Sequence, residues 1–269
     1  MKKEFLFGVG ITSATENEIL EYIVNSVQKT KERYYIVTPN PEMLVLASQS
    51  EQFKTALNGA RIALPDGIGL LWASKIFGKK LKERVTGTDF VESICQRLEG
   101  NPVTVGFLGG GEKVAEKAAE CLLSRYPLLE VVFVSDRWWE EGFTRAEELR
   151  IRKQELGIRG KIRQPADHNS LFIIPDSIDI LFVAFGFPKQ EEWMHEHLGK
   201  IPVRVMVGVG GAFDYISGRV PRAPAWIQKL GFEWLFRLVV QPWRIKRQFA
   251  LIIFVFLVLK AKLTGGVAK

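Results

Sequence analysis

The sequence has little of what metal and redox chemistry use. It holds two cysteines, Cys95 and Cys121, and three histidines, His168, His195 and His197. The cysteines stand far apart in helix-like segments, with neither a zinc-ligand spacing nor a disulfide pattern, so both read as buried free thiols in a reducing compartment. No histidine pair has HExxH spacing, and no metal site is expected. There is no GxGxxG followed by a ribose-binding acid, which removes the dinucleotide-dependent oxidoreductases, and no GxxxxGK[ST]. No apolar run approaches the roughly 20 residues that a membrane-spanning helix needs. Internal repeats and low-complexity tracts are also missing. After Met1-Lys2-Lys3 the apolar piece is short and broken by Gly8 and Gly10, so no signal peptide is read there.

What is present is the composition of a globular protein: 269 residues, 47% hydrophobic and 25% charged. The net charge of +7 is unevenly distributed. From Arg219 to Lys269 there are ten Lys/Arg against one acid, Glu233, while residues 1–218 carry 27 basic and 29 acidic side chains. An anionic partner is therefore expected for the tail alone. The same tail holds Trp226, Ile227, Leu230, Trp234, Leu235 and Leu238 at helical spacing, then eleven unbroken apolar residues, Phe249–Leu259. Basic helices with Trp and Phe suit the interface of an anionic bilayer. Nucleic acid is the weaker candidate, because a greasy run does nothing for a phosphate backbone. Packing of the stripe on the protein's own core is the alternative.

Ahead of the tail, short apolar strands alternate with helices. Strands are expected at Phe5–Ile11, Tyr34–Val37, Ile62–Leu64, Val103–Leu108, Leu129–Val134, Ile178–Phe185 and Val203–Val209. Helices are expected after Thr15, over Glu42–Ala47, Leu70–Phe77 and Gly87–Leu98, from Gly111 to Ser124, and from Pro188 to about Leu198. This rhythm gives an α/β fold, a Rossmann-like and largely parallel sheet with helices on both faces. The expected division is a core over residues 1–218, with a surface excursion at about 140–176, and a helical, membrane-associating appendage over 219–269.

Chemistry is sought at the carboxyl ends of parallel strands, which open on one crevice in such folds. Three ends carry polar motifs: Thr38-Pro39-Asn40, Pro65-Asp66-Gly67 and Gly186-Phe187-Pro188-Lys189-Gln190-Glu191. Two carry glycines, Gly109-Gly110-Gly111 and Gly208-Val209-Gly210-Gly211, where backbone N–H groups could approach a phosphate. Taken singly, each glycine cluster reads as a turn that connects elements. Asp66 reads locally as a turn residue capping the next helix or as a lone reactive carboxylate. Arg84 precedes a helix N-terminus, an anion-binding position, and could as easily be a surface residue.

Seven motifs in order decide between these readings: Val37–Glu42 (VTPNPE), Leu64–Gly69 (LPDGIG), Glu83–Asp89 (ERVTGTD), Gly186–Glu191 (GFPKQE), Gly208–Asp214 (GVGGAFD), Arg222–Pro224 (RAP) and Glu233–Leu238 (EWLFRL). Together, over about residues 5–248, they resemble the WecG/TagA/CpsF family of bacterial glycosyltransferases. The resemblance implies a metal-independent, inverting enzyme that moves a sugar, most often N-acetylmannosamine, from a UDP donor to GlcNAc on undecaprenyl diphosphate. Such enzymes serve cell-surface polymer synthesis at the cytoplasmic face of the membrane, peripherally bound. Asp66 then matches the family's proposed general base and Thr38 its partner. Arg84, Gln190 and Asp214 match donor- or acceptor-pocket positions, and Asn40, Gly109 and Gly110 complete the candidate binding set. Arg237, Arg244 and Arg247 match appendage arginines thought to close over the diphosphate. No cofactor is implied. The motifs contain no DxD to hold a divalent ion on the leaving group, so arginines and helix N-termini must take that role. A different UDP-hexose donor (glucose, galactose or a uronic acid) and a non-catalytic nucleotide- or lipid-binding module are the alternatives, and a homo-oligomer is left open.

Overall fold

The computed structural model describes residues 1–136 and 177–264. The excursion expected at about 140–176 lies almost wholly outside them.

A six-stranded sheet forms the centre of the fold, in the order β4-β3-β8-β7-β5-β6. Its members are β3 (Tyr34–Val37), β4 (Ile62–Ala63), β5 (Thr104–Gly109), β6 (Glu130–Ser135), β7 (Ile178–Ala184) and β8 (Val203–Gly208). The β3–β8, β8–β7, β7–β5 and β5–β6 pairs are all parallel. Strands covered on both faces should be apolar throughout rather than alternating. Accordingly every residue of β3 and β5 is buried, as are six of the seven in β7. Flanking helices are α1 (Glu16–Lys29), α2 (Pro41–Ala47), α3 (Glu51–Gly59), α4 (Ile68–Ile76), α5 (Gly87–Leu98), α6 (Val114–Arg125), α7 (Lys189–His197) and α8 (Ala212–Ile216).

One strand assignment is corrected. Phe5–Ile11 is not a single strand but a hairpin outside the main sheet, β1 (Lys3–Leu6) antiparallel to β2 (Val9–Thr12). Phe7 at φ 53 and Gly8 at φ 79 turn the chain between them. A non-glycine residue in the left-handed region leaves no mark in the sequence. Cys121 is also only half-buried, whereas Cys95 is buried, and both are free thiols.

By backbone contacts the chain divides into two compact units. The first comprises Met1–Glu16, Val37–Thr86 and Val220–Lys269, and the second Asn17–Ile36 and Gly87–Arg219. The basic C-terminal residues therefore cluster with the hairpin and with the Asp66 segment.

In the first unit the hairpin is clamped to α3. Asn58 donates to the Gly8 carbonyl at 2.8 Å and accepts from the Gly10 N–H at 3.0 Å. After Val220 come α9 (Ala225–Leu230), α10 (Glu233–Val240), a 3-10 turn (Pro242–Arg244) and the long α11 (Ile245–Leu263). The last helix has two unlike faces. Phe254 and Val258 are buried as α11 packs along α2. Phe249, Ile252, Phe256, Leu259 and Leu263, at i, i+3, i+7, i+10 and i+14, are exposed. No helix among the described residues is long and apolar enough to cross a membrane.

In the second unit Phe107, Phe182 and Phe213 pack around a centre of buried aliphatic side chains.

Candidate active site

In the first unit the Asp66 loop is fixed by its backbone. The Leu64 N–H donates to the Val37 carbonyl at 2.8 Å, the Asp66 N–H to the Pro39 carbonyl at 2.9 Å, and the Val85 N–H to the Pro65 carbonyl at 3.1 Å. These three bonds tie together the VTPNPE, LPDGIG and ERVTGTD motifs. Thr38 is buried and Asp66 half-exposed beside each other's strands. The N-cap position of α4 is Gly67, which brings no side chain, and Asp66 immediately precedes it.

Asn40 does cap a helix. Its Oδ1 accepts from the Met43 N–H at 3.0 Å, which fixes the side chain and leaves its amide NH2 as the donor end. Arg84 donates from Nη2 to the Gln228 carbonyl at 2.9 Å, which ties the ERVTGTD motif to the end of α9. Arg237 Nε and Arg244 Nη1 both donate to Gln241 Oε1, each at 3.2 Å. Arg247 pairs with Glu42 at 2.8 Å, in the first turn of α2. Thr38, Asn40, Asp66, Arg84 and the three appendage arginines thus all belong to one unit.

Gly109, Gly110, Gln190 and Asp214 belong to the other. Gly109 has φ +99, and a Cβ there would meet the Ala184 backbone at 2.9 Å. The Gly110 N–H donates to the Ala184 carbonyl at 2.9 Å. The close approach of β5 and β7 thus already requires a glycine at the first of these positions. Asp214 lies half-exposed in the first turn of α8.

Gln190 is only 2% exposed and joins two strand-end loops. Its Oε1 accepts from the Gly210 N–H at 2.9 Å, and its Nε2 donates to Glu191 Oε1 at 2.8 Å. A side chain at Gly208 would run into it, since a Cβ there falls 2.5 Å from Gln190 Nε2. Glu191 was not singled out from the sequence. It is fully buried, its Oε2 has no hydrogen-bond partner, and burial pushes its carboxyl up to about 7. Burial, and secondarily the charge of Glu191, raises the Tyr35 phenol. That phenol oxygen lies 3.1 Å from Nδ1 of the exposed His195. A carboxylate in the first turn of the helix that follows a mostly apolar strand was the available signal for Glu191.

Among the described residues no group of three or more His, Cys, Asp or Glu is placed to hold a metal ion.

A sequence model of the family described as "Glycosyl transferase WecG/TagA/CpsF family" matches residues 5–267, a span that takes in every side chain above. This chain belongs to that glycosyltransferase family. Among its relatives is the N-acetylglucosaminyldiphosphoundecaprenol N-acetyl-beta-D-mannosaminyltransferase of Bacillus spizizenii, 32% identical over 226 residues, covering 84% of this chain and 79% of the relative. The Bacillus subtilis protein of the same name is 27% identical over 260 residues, covering 97% and 92%. A Staphylococcus aureus protein of that name is 29% identical over 258 residues, covering 96% and 92%. In this glycosyltransferase, one compact unit carries the candidate base and the cations. The other carries the glycine turns and the buried Gln190–Glu191 pair.

Proposed function

We propose that this protein transfers N-acetylmannosamine from its UDP donor to GlcNAc on undecaprenyl diphosphate, with inversion at the anomeric carbon and without a metal ion. The acceptor hydroxyl oxygen forms the new bond to C1 as the C1–O bond to UDP breaks. Asp66 takes the hydroxyl proton, a role worth roughly 10²–10⁴ in rate, and Thr38 stands beside it. UDP departs with its new charge, which Arg84, Arg237, Arg244 and Arg247 stabilise. Asn40 adds a polar group within this unit; in the other unit Gly109, Gly110 and Asp214 are the candidate donor or acceptor contacts, and the buried Gln190 holds the Gly210 turn.

One observation carries this reading. A carboxylate on a backbone-locked loop shares a compact unit with the appendage arginines, in a chain of a glycosyltransferase family. The shared name of the relatives supports the sugar and the lipid acceptor.

The same unit supports peripheral attachment to the cytoplasmic face of the membrane. Phe249, Ile252, Phe256, Leu259 and Leu263 expose one apolar helix face, and Trp226 and Trp243 are exposed nearby in sequence. Lys246, Lys260 and Lys262 lie on the same helix. An amphipathic basic helix of this kind binds anionic lipid by lying in the interface.

The test is transfer by the full-length protein to a synthetic polyprenyl-diphosphate-GlcNAc, from a panel of UDP-sugars, with EDTA present. UDP-N-acetylmannosamine should be the best donor, and the product should carry the opposite anomeric configuration. A different preferred hexose overturns the donor assignment. A strict Mn²⁺ requirement overturns the metal-free account. Tight UDP binding with no turnover from any donor makes the protein a binding module.

A further inference from the structure

Gln190 and Glu191 lie in the first turn of α7 with both side chains turned inward, 2% and 0% exposed. The helix dipole favours an acid in a first turn, but the half-exposed Glu192 already serves that end. Burying Glu191 as well is costly. Its Oε1 accepts from Gln190 Nε2 at 2.8 Å, and its Oε2 meets no hydrogen-bond partner among the described residues. An apolar side chain of the same size would fill the space without an unpaired oxygen. Packing alone therefore does not account for a carboxyl at this position.

What the carboxyl does is visible one residue back. A glutamine amide has a donor end and an acceptor end. With its NH2 on Glu191 Oε1, the Gln190 carbonyl oxygen faces Gly210 and accepts its N–H at 2.9 Å. Turned over, the amide would set its NH2 against the Gly210 N–H, donor against donor. It has no room to step aside, since a Cβ at Gly208 would already lie 2.5 Å from Nε2. Gly210 takes φ +54 at the end of β8. The Ala212 N–H then donates to the Val209 carbonyl at 3.1 Å, and α8 begins with Asp214 in its first turn. Two hydrogen bonds and a short stretch of chain thus link Glu191 to Asp214, all within the second unit.

We propose that Glu191 is a positioning residue for glycosyl transfer: it orients the Gln190 amide, which holds the Gly210 turn and so sets Asp214 against the sugar substrates. The inference rests on the reading of Asp214 as a substrate contact. The alternative is that Glu191 only fills its place in the core, its bond to Gln190 having no consequence for the reaction.

Hydrogen-bond direction separates the two. Glu191→Met keeps the length and removes the acceptor, whereas Glu191→Gln keeps an acceptor oxygen. In the full-length protein, with the donor and acceptor of the assay above, kcat/KM should fall at least about tenfold in the methionine variant, the effect of leaving a buried donor without its partner. Glu191→Gln should stay within about threefold of the parent, and thermal melts should show both variants folded at the assay temperature. Parental kcat/KM in both, or a glutamine variant as weak as the methionine one, overturns the inference. The exchanged pair Gln190→Glu/Glu191→Gln guards against a folding failure, because it keeps the shape and again puts an acceptor oxygen on the Gly210 N–H. Gln190→Glu alone should lose activity, since two acids then face each other, and adding Glu191→Gln should restore it. Parental activity of Gln190→Glu alone, or no recovery in the double variant, overturns the inference. Asp214→Ala separates the levels of the argument. If it transfers sugar like the parent, the reading of Asp214 falls and the inference with it. If it loses activity while Glu191→Met does not, the inference is wrong and the reading of Asp214 stands.

Discussion

In the unit that carries Asp66, the side chain stands half-exposed on a loop held by backbone hydrogen bonds. In the unit that carries Glu191, the acid is sealed at 0% exposure, with one oxygen bonded to Gln190 and the other to nothing. The comparison separates two things a carboxylate can do. One held by its backbone can be altered at the side chain with little cost to the fold, so its chemistry is open to test. One held by burial is itself part of the fold, and its charge state is a term in stability.

The largest expected effect follows from the first half of this contrast. Asp66→Asn should leave the melting temperature unchanged and lower kcat by about 10²–10⁴, the worth of a positioned general base. Near-parental turnover would remove Asp66 from the base role. A collapse of the melting temperature would show that its side chain, and not the loop backbone, holds the motifs together.

Next in size is a contrast inside the first unit. Phe254 is 4% exposed and packs edge-on against Phe7, with ring centroids 5.9 Å apart. Phe256, two residues on, is 63% exposed. Phe254→Ala should cost about 3–5 kcal/mol of stability, the usual range for deleting a buried phenylalanine. Phe256→Ala should cost less than about 0.5 kcal/mol, yet weaken binding to anionic vesicles. Denaturant melts and vesicle sedimentation on both variants check this. If Phe256→Ala melts like Phe254→Ala, the exposed face of α11 is buried by something other than lipid.

Much of this was legible in the sequence, for identifiable reasons. The strands β3, β5, β7 and β8 are mostly apolar segments followed within a few residues by Pro or Gly, so hydrophobic pattern alone places them within a residue or two. The hairpin was missed because its turn uses Phe7 in a conformation that favours glycine. Helix α3 was passed over although Ser50, whose side chain accepts from the Phe53 N–H at 3.2 Å, is an ordinary capping residue. At the site, Thr38, Asn40 and Asp66 could be found because the motifs place them at strand ends. Glu191 could not be assigned a role, since its role depends on which side chains meet in space. A Glu in the sequence reads as a surface charge until burial is known.

The third effect turns on pH. Burial is the main cause raising the Glu191 carboxyl from 4.5 to about 7, with the charge of Glu192 adding to it. The bond from Gln190 and a backbone hydrogen bond oppose the rise. Tyr35 and His195 are the other titratable groups of this cluster. A carboxyl raised in the folded state binds its proton more tightly there than in the unfolded chain. Its contribution is therefore fully present below about pH 4.5 and is lost as pH rises through about 7. The loss amounts to roughly 3 kcal/mol over that window. Glu191→Gln removes the titrating group, so urea melts at pH 5 and pH 8 should show the parent losing roughly that much more stability than the variant. Equal losses in the two proteins would mean that Glu191 stays charged in its buried position.

The smallest expected effect concerns the pair that joins the appendage to the VTPNPE motif. Glu42 and Arg247 meet at 2.8 Å, but the arginine side chain is 40% exposed and the glutamate 18%. Solvent at that level screens most of the attraction, and ordering two long side chains offsets more of it. A double-mutant cycle with Glu42→Gln and Arg247→Gln should therefore give a coupling of about 0.2–1 kcal/mol, falling as salt is raised. Packing of Phe254 and Val258, and not this ion pair, then holds α11 on α2. A coupling several times larger and indifferent to salt would reverse that order, and would make the first unit resemble the second in relying on a buried charge.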